Sequence, residues 1–549
     1  MNTTIGWRTS LRDGRQSELR AFNRVSKSSF LRYRNRIGAG LLLGLPVTYV
    51  WRTVVDPFLR NGMPTGWDTG AYIAWANSFS LRGFGYVQDP GFIQFSGLNL
   101  SPLLLLSGII SLTSSELMGY VAFQVVILAS YLVSTFLLSR VLRKGLAYSI
   151  LVFLFLVSDS AFIRMTRDLY ANLLTMAFLQ LSLVALARLW ASPRRVTALA
   201  LYLSSVLMLI TDIEIGIFGL FVLWGSALMT TLRERSDSFE TRSIFTPLCA
   251  SLITASILWL PYASSYLSIS SVTIAGSSTL DWSGLWTQLG GVVILPFWIV
   301  GIAYVTYEIR EGRSGIRSSI LLSWVLAFVS FIVVSLFFRP NLAYRVALLL
   351  PIYFLLPEAI MLASNAYRSL GSIKPYARPL MILVLLVVAT SISVYSATTF
   401  VTQTSSDATS PYVSIGEYRI LSNVSNYLKS NNVGSLSTIF LVYPPERTYD
   451  PTGVSQWTNL YDNWILATVG PHLTYYGTFE NFTKHVPIDL ASTNEKATFE
   501  FYSARFTSQR SKSDLTLVVV SFLYGGSRLG LIELSQPVTG AYMSKVSFA

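Results

Sequence analysis

From 38 to 400 the chain alternates apolar runs with short polar gaps, and several of the runs extend over about 16 to 24 residues, the length a helix needs to cross a bilayer. Arg and Lys collect in every second gap. They stand as Arg140, Arg143 and Lys144; Arg194 and Arg195; Arg233, Arg235 and Arg242; Arg310, Arg313 and Arg317; and Arg368, Lys374 and Arg378. Positive residues mark cytoplasmic loops, so these gaps are predicted to lie inside, together with the basic head that carries Arg8, Arg12, Arg15, Arg20, Arg24, Lys27, Arg32, Arg34 and Arg36. The pattern predicts spans over 38–55, 117–138, 146–157, 169–189, 196–211, 213–232, 244–267, 285–307, 320–338, 342–362 and 380–400. These are about 11 transmembrane helices in an all-α polytopic bundle, with the amino terminus cytoplasmic.

Two runs bend this scheme. The stretch 98–112 is apolar, but counting it as a span would invert every later loop, so it is expected as a re-entrant or interfacial helix within the first outer loop, 57–116. The run 146–157 covers roughly 18 Å against a hydrocarbon layer of about 30 Å, so its helix is expected to continue past Asp159. After 400 the composition turns polar, and 401–549 reads as a small extracytoplasmic α/β domain. Its predicted elements are a helix over 415–430 and strands over 438–443, 515–524 and 530–534. The organisation is then a basic cytoplasmic tail (1–36), a membrane domain (37–400) and the outer domain.

Composition agrees: 52% of the 549 residues are hydrophobic and 13% are charged. The net charge of +13 could suggest nucleic acid, yet topology accounts for most of it, and no nucleic-acid partner is expected. The basic head is too long for the charged region of a cleaved signal peptide and reads as a tail before a retained anchor, with anionic membrane lipid as a further attraction for its arginines. One cysteine, Cys249, excludes an internal disulfide and a multi-thiolate metal site. His472 and His485 have no ligand-like spacing. Asn423-Val424-Ser425 and Asn481-Phe482-Thr483 are glycosylation sequons, motifs short enough to arise by chance.

Candidate chemistry collects at the outer ends of the predicted spans: Asp68, Asp159, Arg164, Arg167, Asp168, Asp212, Glu214, Arg339 and Arg345. Most have two readings. Asp68, in Gly66-Trp67-Asp68-Thr69-Gly70 before a segment with the composition of an interfacial helix, is a helix cap or a general base. Asp159, below the outer headgroups, is costly there unless it faces a polar cavity or a partner. Arg167 and Asp168 are an interfacial charge and a cap, or Arg164 and Arg167 neutralise a lipid phosphate. Asp212 and Glu214 form a capped hairpin turn, or bind a substrate hydroxyl or a metal ion. Arg339 snorkels. Arg345 opens an apolar run, where a guanidinium calls for an anion, either a protein carboxylate or a lipid phosphate. The Ser-, Thr- and Gly-rich loop 264–282 is a connector or a cover over the site.

An Asp in the first outer loop before an interfacial helix (66–76), Arg167-Asp168 before the fourth span, and Arg345 opening a late span together resemble the GT-C glycosyltransferases, polytopic enzymes that use polyprenyl-phosphate sugars and include the dolichyl-phosphate-mannose protein mannosyltransferases. The resemblance covers roughly 38–400. It implies inverting hexosyl or mannosyl transfer from a polyprenyl-phosphate sugar donor to a protein, glycan or lipid acceptor. Asp68 would be the base, Arg345 a holder of the lipid phosphate with Arg164, Arg167 and Arg339 as further candidates, and the outer domain an aid to acceptor binding. Asp159, Asp168, Asp212 and Glu214 remain as substrate-binding or supporting groups. The chain departs from the mannosyltransferases in having Thr69 after Asp68 where an Asp-Glu pair is common. It lacks the Trp-Trp-Asp motif of oligosaccharyltransferases, having Tyr461-Asp462-Asn463-Trp464, and a clear Asp-x-Asp in the second outer loop, so a divalent metal is not favoured. The competing class is a transporter or flippase with the same charges lining a path, for which Glu358, deep in a late span, is the one clear ionisable candidate.

Overall fold

The computed structural model describes residues 38, 40, 44–66, 68–82, 100–143, 145–166, 169–234, 238–260, 291–310, 315–338 and 345–369, separate positions between 383 and 398, positions 415, 418, 419, 422, 464, 467 and 468, and six strands beyond 437. Calls that fall elsewhere, among them Arg167, Asp168, Arg339, the loop 264–282, His472, His485 and both sequons, lie outside the described residues.

Helix α1 occupies 44–61 and includes a π turn at Trp51–Val55. It is followed by α2 (Thr69–Arg82), α3 (Leu100–Thr113), α4 (Glu116–Leu142), α5 (Leu146–Leu156), α6 (Ser160–Met165), α7 (Tyr170–Ala191), α8 (Arg195–Thr211), α9 (Ile213–Glu234), α10 (Ser238–Trp259), α11 (Gly291–Arg310), α12 (Ile316–Phe338) and α13 (Ile352–Ser369). Among the described residues five helices are long and apolar enough to cross a membrane: Glu116–Leu142, Tyr170–Ala191, Ile213–Arg233, Arg242–Trp259 and Ile316–Ser335. The one from Tyr170 is the most enclosed, with 78% of its apolar window inside protein, and α4, α8 and α9 pack around it.

Outward faces keep their apolar residues at helical spacing. Val196, Leu199, Leu203 and Leu207 are exposed along α8, and Ile217, Phe221, Leu228 and Leu232 along α9, stripes suited to lipid rather than water. Between helices the contacts use small hydroxyls, as where Ser182 donates to Ser204 at 2.8 Å across α7 and α8. Close approach is built in at Gly119, where an added Cβ would stand 3.0 Å from the Ile110 backbone, and α3 folds straight back onto α4 through Ser114 (φ 52°) and the capping residue Ser115. At 14 residues α3 is about 21 Å long, short of a hydrocarbon layer of about 30 Å.

Two expectations are corrected. The helix through 146–157 does not continue past Asp159: it ends at Leu156, and Asp159 caps the next short helix by accepting from the Ala161 N–H at 3.1 Å. Helix α2 is covered by protein, Ala71 to Ala76 all being buried. The run 342–362 is not one continuous helix. A single turn at 345–347 gives way to an irregular 348–351, since Pro351 has no N–H to continue the ladder, and α13 restarts at Ile352. Such backbone is tolerated at membrane depth only when protein satisfies it; Trp324 does so by donating its indole N–H to the Leu349 carbonyl at 2.9 Å.

Beyond 437 the strands β1 (Thr438–Val442), β2 (Leu473–Gly477), β3 (Thr498–Ala504), β4 (Thr516–Leu523), β5 (Arg528–Gly530) and β6 (Ala541–Ser547) pair in the order β2-β1-β4-β3-β6, with β5 also on β4. The β1–β2 pair is parallel and the others are antiparallel. Before them, 415, 418, 419 and 422 are helical and lie on one face by their spacing, and Tyr418 meets the buried Trp464 edge to face.

Candidate functional site

Asp68 is placed by a turn that only glycine makes easily. Gly66 has φ +122°, and the Thr69 hydroxyl donates back to the Gly66 carbonyl at 3.0 Å, so the chain enters α2 directly after Asp68. The Asp68 carbonyl accepts the Tyr72 N–H at 3.0 Å, which sets Tyr72 one turn along the same face. The Tyr72 hydroxyl accepts the Ala171 N–H at 3.1 Å, a donor of the first turn of α7 that has no partner inside its own helix. Around it stand Trp75, Tyr120, Phe123 and Tyr170 with ring centroids 5.4 to 6.4 Å from that of Tyr72. Gln124, reaching from α4, donates to the Thr65 carbonyl and to the Tyr170 hydroxyl.

Asp212 and Glu214 come from the tight turn between α8 and α9. Asp212 caps α9 by accepting the Ile215 N–H at 3.1 Å, and Gly216 permits the tight turn, since a Cβ there would lie 2.9 Å from the Leu209 backbone. Burial raises the Asp212 carboxyl above the usual carboxylate range, with Arg345 acting in the opposite direction. Arg345 donates to Glu214 Oε2 at 3.4 Å and lies within electrostatic reach of Asp212, Asp68 and Tyr72. The Tyr72 hydroxyl is raised first by burial and then by Asp68.

Asp68, the pair Asp212 and Glu214, and Arg345, from three separate parts of the chain, thus share one field with Tyr72. Arg345 keeps 42% of its side chain exposed and, among the described residues, has only the long bond to Glu214. Its other N–H donors can take an anion. No three His, Cys, Asp or Glu residues come together as a metal site among the described residues.

Asp159 stands apart from this group. It lies near Tyr131 and Tyr353, whose hydroxyls are 2.8 Å apart, in a buried chain that continues to Gln180, Ser134 and Thr135. Burial pushes its carboxyl up to about 7. Arg164 is half-buried in the last turn of α6.

The opposite end of the bundle holds a second charge cluster. Glu358, fully buried on α13, accepts from Arg143 Nη2 at 2.6 Å and Nε at 3.1 Å and from Arg317 Nη2 at 3.2 Å. Glu308 completes it, 2.7 Å from Arg317 and 3.5 Å from Arg143. Helix α4 links the two ends, with Glu116 in its first turn and Arg143 just past its last, about 40 Å apart at 1.5 Å per residue.

Sequence reasoning missed Tyr72, although its place four residues after Asp68 in a helical segment was a usable signal. It also missed Gln124 and the partners of Glu358, for which the sequence offers no local sign.

Apolar spans with polar groups gathered at their ends define a polytopic membrane protein. Its fold is similar to that of ArnT from Cupriavidus metallidurans bound to undecaprenyl phosphate, at a TM-score of 0.45 and 12% identity over 88% of this chain and 97% of that one. No protein-family model and no curated protein matches the chain.

Proposed function

We propose that the chain is a membrane glycosyltransferase that moves a sugar from a polyprenyl-phosphate donor to an acceptor hydroxyl at the outer boundary of the bilayer. The observation that carries this reading is the convergence of Asp68, Asp212, Glu214 and Arg345, from three separate parts of the chain, at one end of the bundle. A polyprenyl donor enters sideways from lipid while its sugar and phosphate stay at the aqueous edge, so the groups that act on it belong at helix ends.

In the proposed step the Asp68 carboxylate takes the proton of the acceptor hydroxyl, and the acceptor oxygen attacks the anomeric carbon. The bond from that carbon to the phosphate oxygen breaks and its electron pair leaves with the phosphate, whose added charge Arg345 stabilises. One displacement inverts the anomeric centre. Asp212 and Glu214 orient sugar or acceptor hydroxyls. Arg164, Arg167 and Arg339 stay candidates for the lipid phosphate, and Asp159 and Asp168 for support. The count of about 11 spans, with the amino terminus inside, puts this end of the bundle outside, and 401–549 then forms an outer α/β domain that assists acceptor binding.

Transport is less well supported, because Glu358 is already paired with two arginines and is not an open carrier of charge. The test is release of polyprenyl phosphate from a panel of undecaprenyl-phosphate hexoses by the purified protein in lipid nanodiscs. Wild type should release it, and Asp68→Asn should do so about 100-fold more slowly or worse. Equal rates reject the base assignment, and no release by either protein counts against the enzyme reading.

A further inference from the structure

Helix α2 carries Asp68 at its start, and its middle is fastened to a segment that lies more than 300 residues further along the chain. Asn77 donates one bond to Glu116 Oε1 at 2.9 Å and another to the Ala467 carbonyl at 3.0 Å. The Tyr418 hydroxyl donates to the other oxygen, Glu116 Oε2, at 3.3 Å. Trp464, almost wholly buried, meets the Tyr418 ring with centroids 5.9 Å apart, and Ile415 packs over Gly62 in the turn that leads to Asp68. Burial and the Glu116 carboxylate push the Tyr418 hydroxyl up to about 12, so it remains a donor at physiological pH. One carboxylate therefore joins the α2 helix, the first turn of α4 and Tyr418.

We propose that Glu116 is a positioning residue for the candidate active site: by bridging Asn77 and Tyr418 it lets the carboxyl-terminal segment fix the helix that presents Asp68. Tyr418, Trp464 and Ala467 are then part of the reactive end and not of a separate appendage. The effect on turnover rests on the function proposed above; the mechanical coupling does not.

The experiment is hydrogen–deuterium exchange on the full-length protein in nanodiscs, comparing wild type with Glu116→Ala, Glu116→Gln and Tyr418→Phe. Glu116→Ala should speed exchange about tenfold both in 69–82 and in 464–468, the scale of one charge-assisted hydrogen bond. Glu116→Gln keeps an acceptor oxygen and should fall between Ala and wild type. Tyr418→Phe leaves α4 untouched and should still loosen both segments. Faster exchange in 464–468 with none in 69–82, or no change in either, overturns the proposal. On whichever undecaprenyl-phosphate hexose the wild type consumes, Tyr418→Phe should lower kcat and leave the donor KM unchanged; a rise in KM alone contradicts a positioning role. If the wild type consumes none of them, the enzyme reading fails while the exchange result still decides the coupling.

Discussion

Replacing Glu358 by Gln removes the charge that holds Arg143 and Arg317 together at the end of the bundle opposite the candidate site, and its cost can be worked from the contacts. At an effective dielectric of 20, unit charges about 4 Å apart attract by about 4 kcal/mol, and breaking a buried pair by removing one partner costs about 3–5 kcal/mol. Three features reduce that here. The arginine side chains are 17% and 21% exposed, Glu308 still neutralises one positive charge, and the Gln oxygen can keep one of the bonds. The expected loss is about 2–3 kcal/mol. Reversible unfolding in mixed detergent micelles, followed by helical circular dichroism, measures it. Arg143→Gln and the double variant complete a cycle whose coupling should be about 1–3 kcal/mol. A loss below about 0.5 kcal/mol for Glu358→Gln, or additive effects in the cycle, would show that solvent screens the cluster and that it does not hold the helices.

Two further outcomes follow from the site. The folded state raises Asp159 from 3.8 to about 7, so the native chain binds a proton that the unfolded chain has released between those values. Its ionisation then opposes folding increasingly as pH rises through this window, fully so above it. Asn keeps the cap, so Asp159→Asn should gain stability over wild type between pH 5 and pH 8, by a few kcal/mol on the scale of about 1.4 kcal/mol per pKa unit. An equal difference at both pH values refutes this. Gly216→Ala should destabilise by about 1–3 kcal/mol and disturb the turn that carries Asp212 and Glu214, because its Cβ meets the Leu209 backbone at 2.9 Å; unchanged unfolding would contradict the packing.

Hydropathy and charge made the helices legible where apolar length alone decides. The expected spans 117–138, 213–232 and 320–338 fall inside Glu116–Leu142, Ile213–Glu234 and Ile316–Phe338, and 169–189 starts one residue before Tyr170–Ala191. Hydropathy does not register backbone chemistry, so the run 342–362 read as continuous although Pro351 breaks it, and Ser158-Asp159-Ser160 read as helix although it is a capping sequence. Local signals put Asp68, Asp212, Glu214 and Arg345 among the candidates, and topology put them at one end. Which of them share a field was not legible, since Asp159 has the same composition around it and faces a tyrosine network instead. The bridge from Glu116 to Tyr418 crosses 302 residues, and that from Arg143 to Glu358 crosses 215; pairings of that kind follow from packing and leave no mark in the local pattern.

The most direct test of a single reactive pocket is the affinity of undecaprenyl phosphate for the purified protein, measured by native mass spectrometry on wild type, Arg345→Ala and Asp68→Asn. A guanidinium that holds the phosphate contributes a charge-assisted hydrogen bond, so Arg345→Ala should bind about 10- to 100-fold more weakly, while Asp68→Asn, which removes a nearby negative charge, should bind at least as tightly as wild type. Equal binding by wild type and Arg345→Ala would contradict the account.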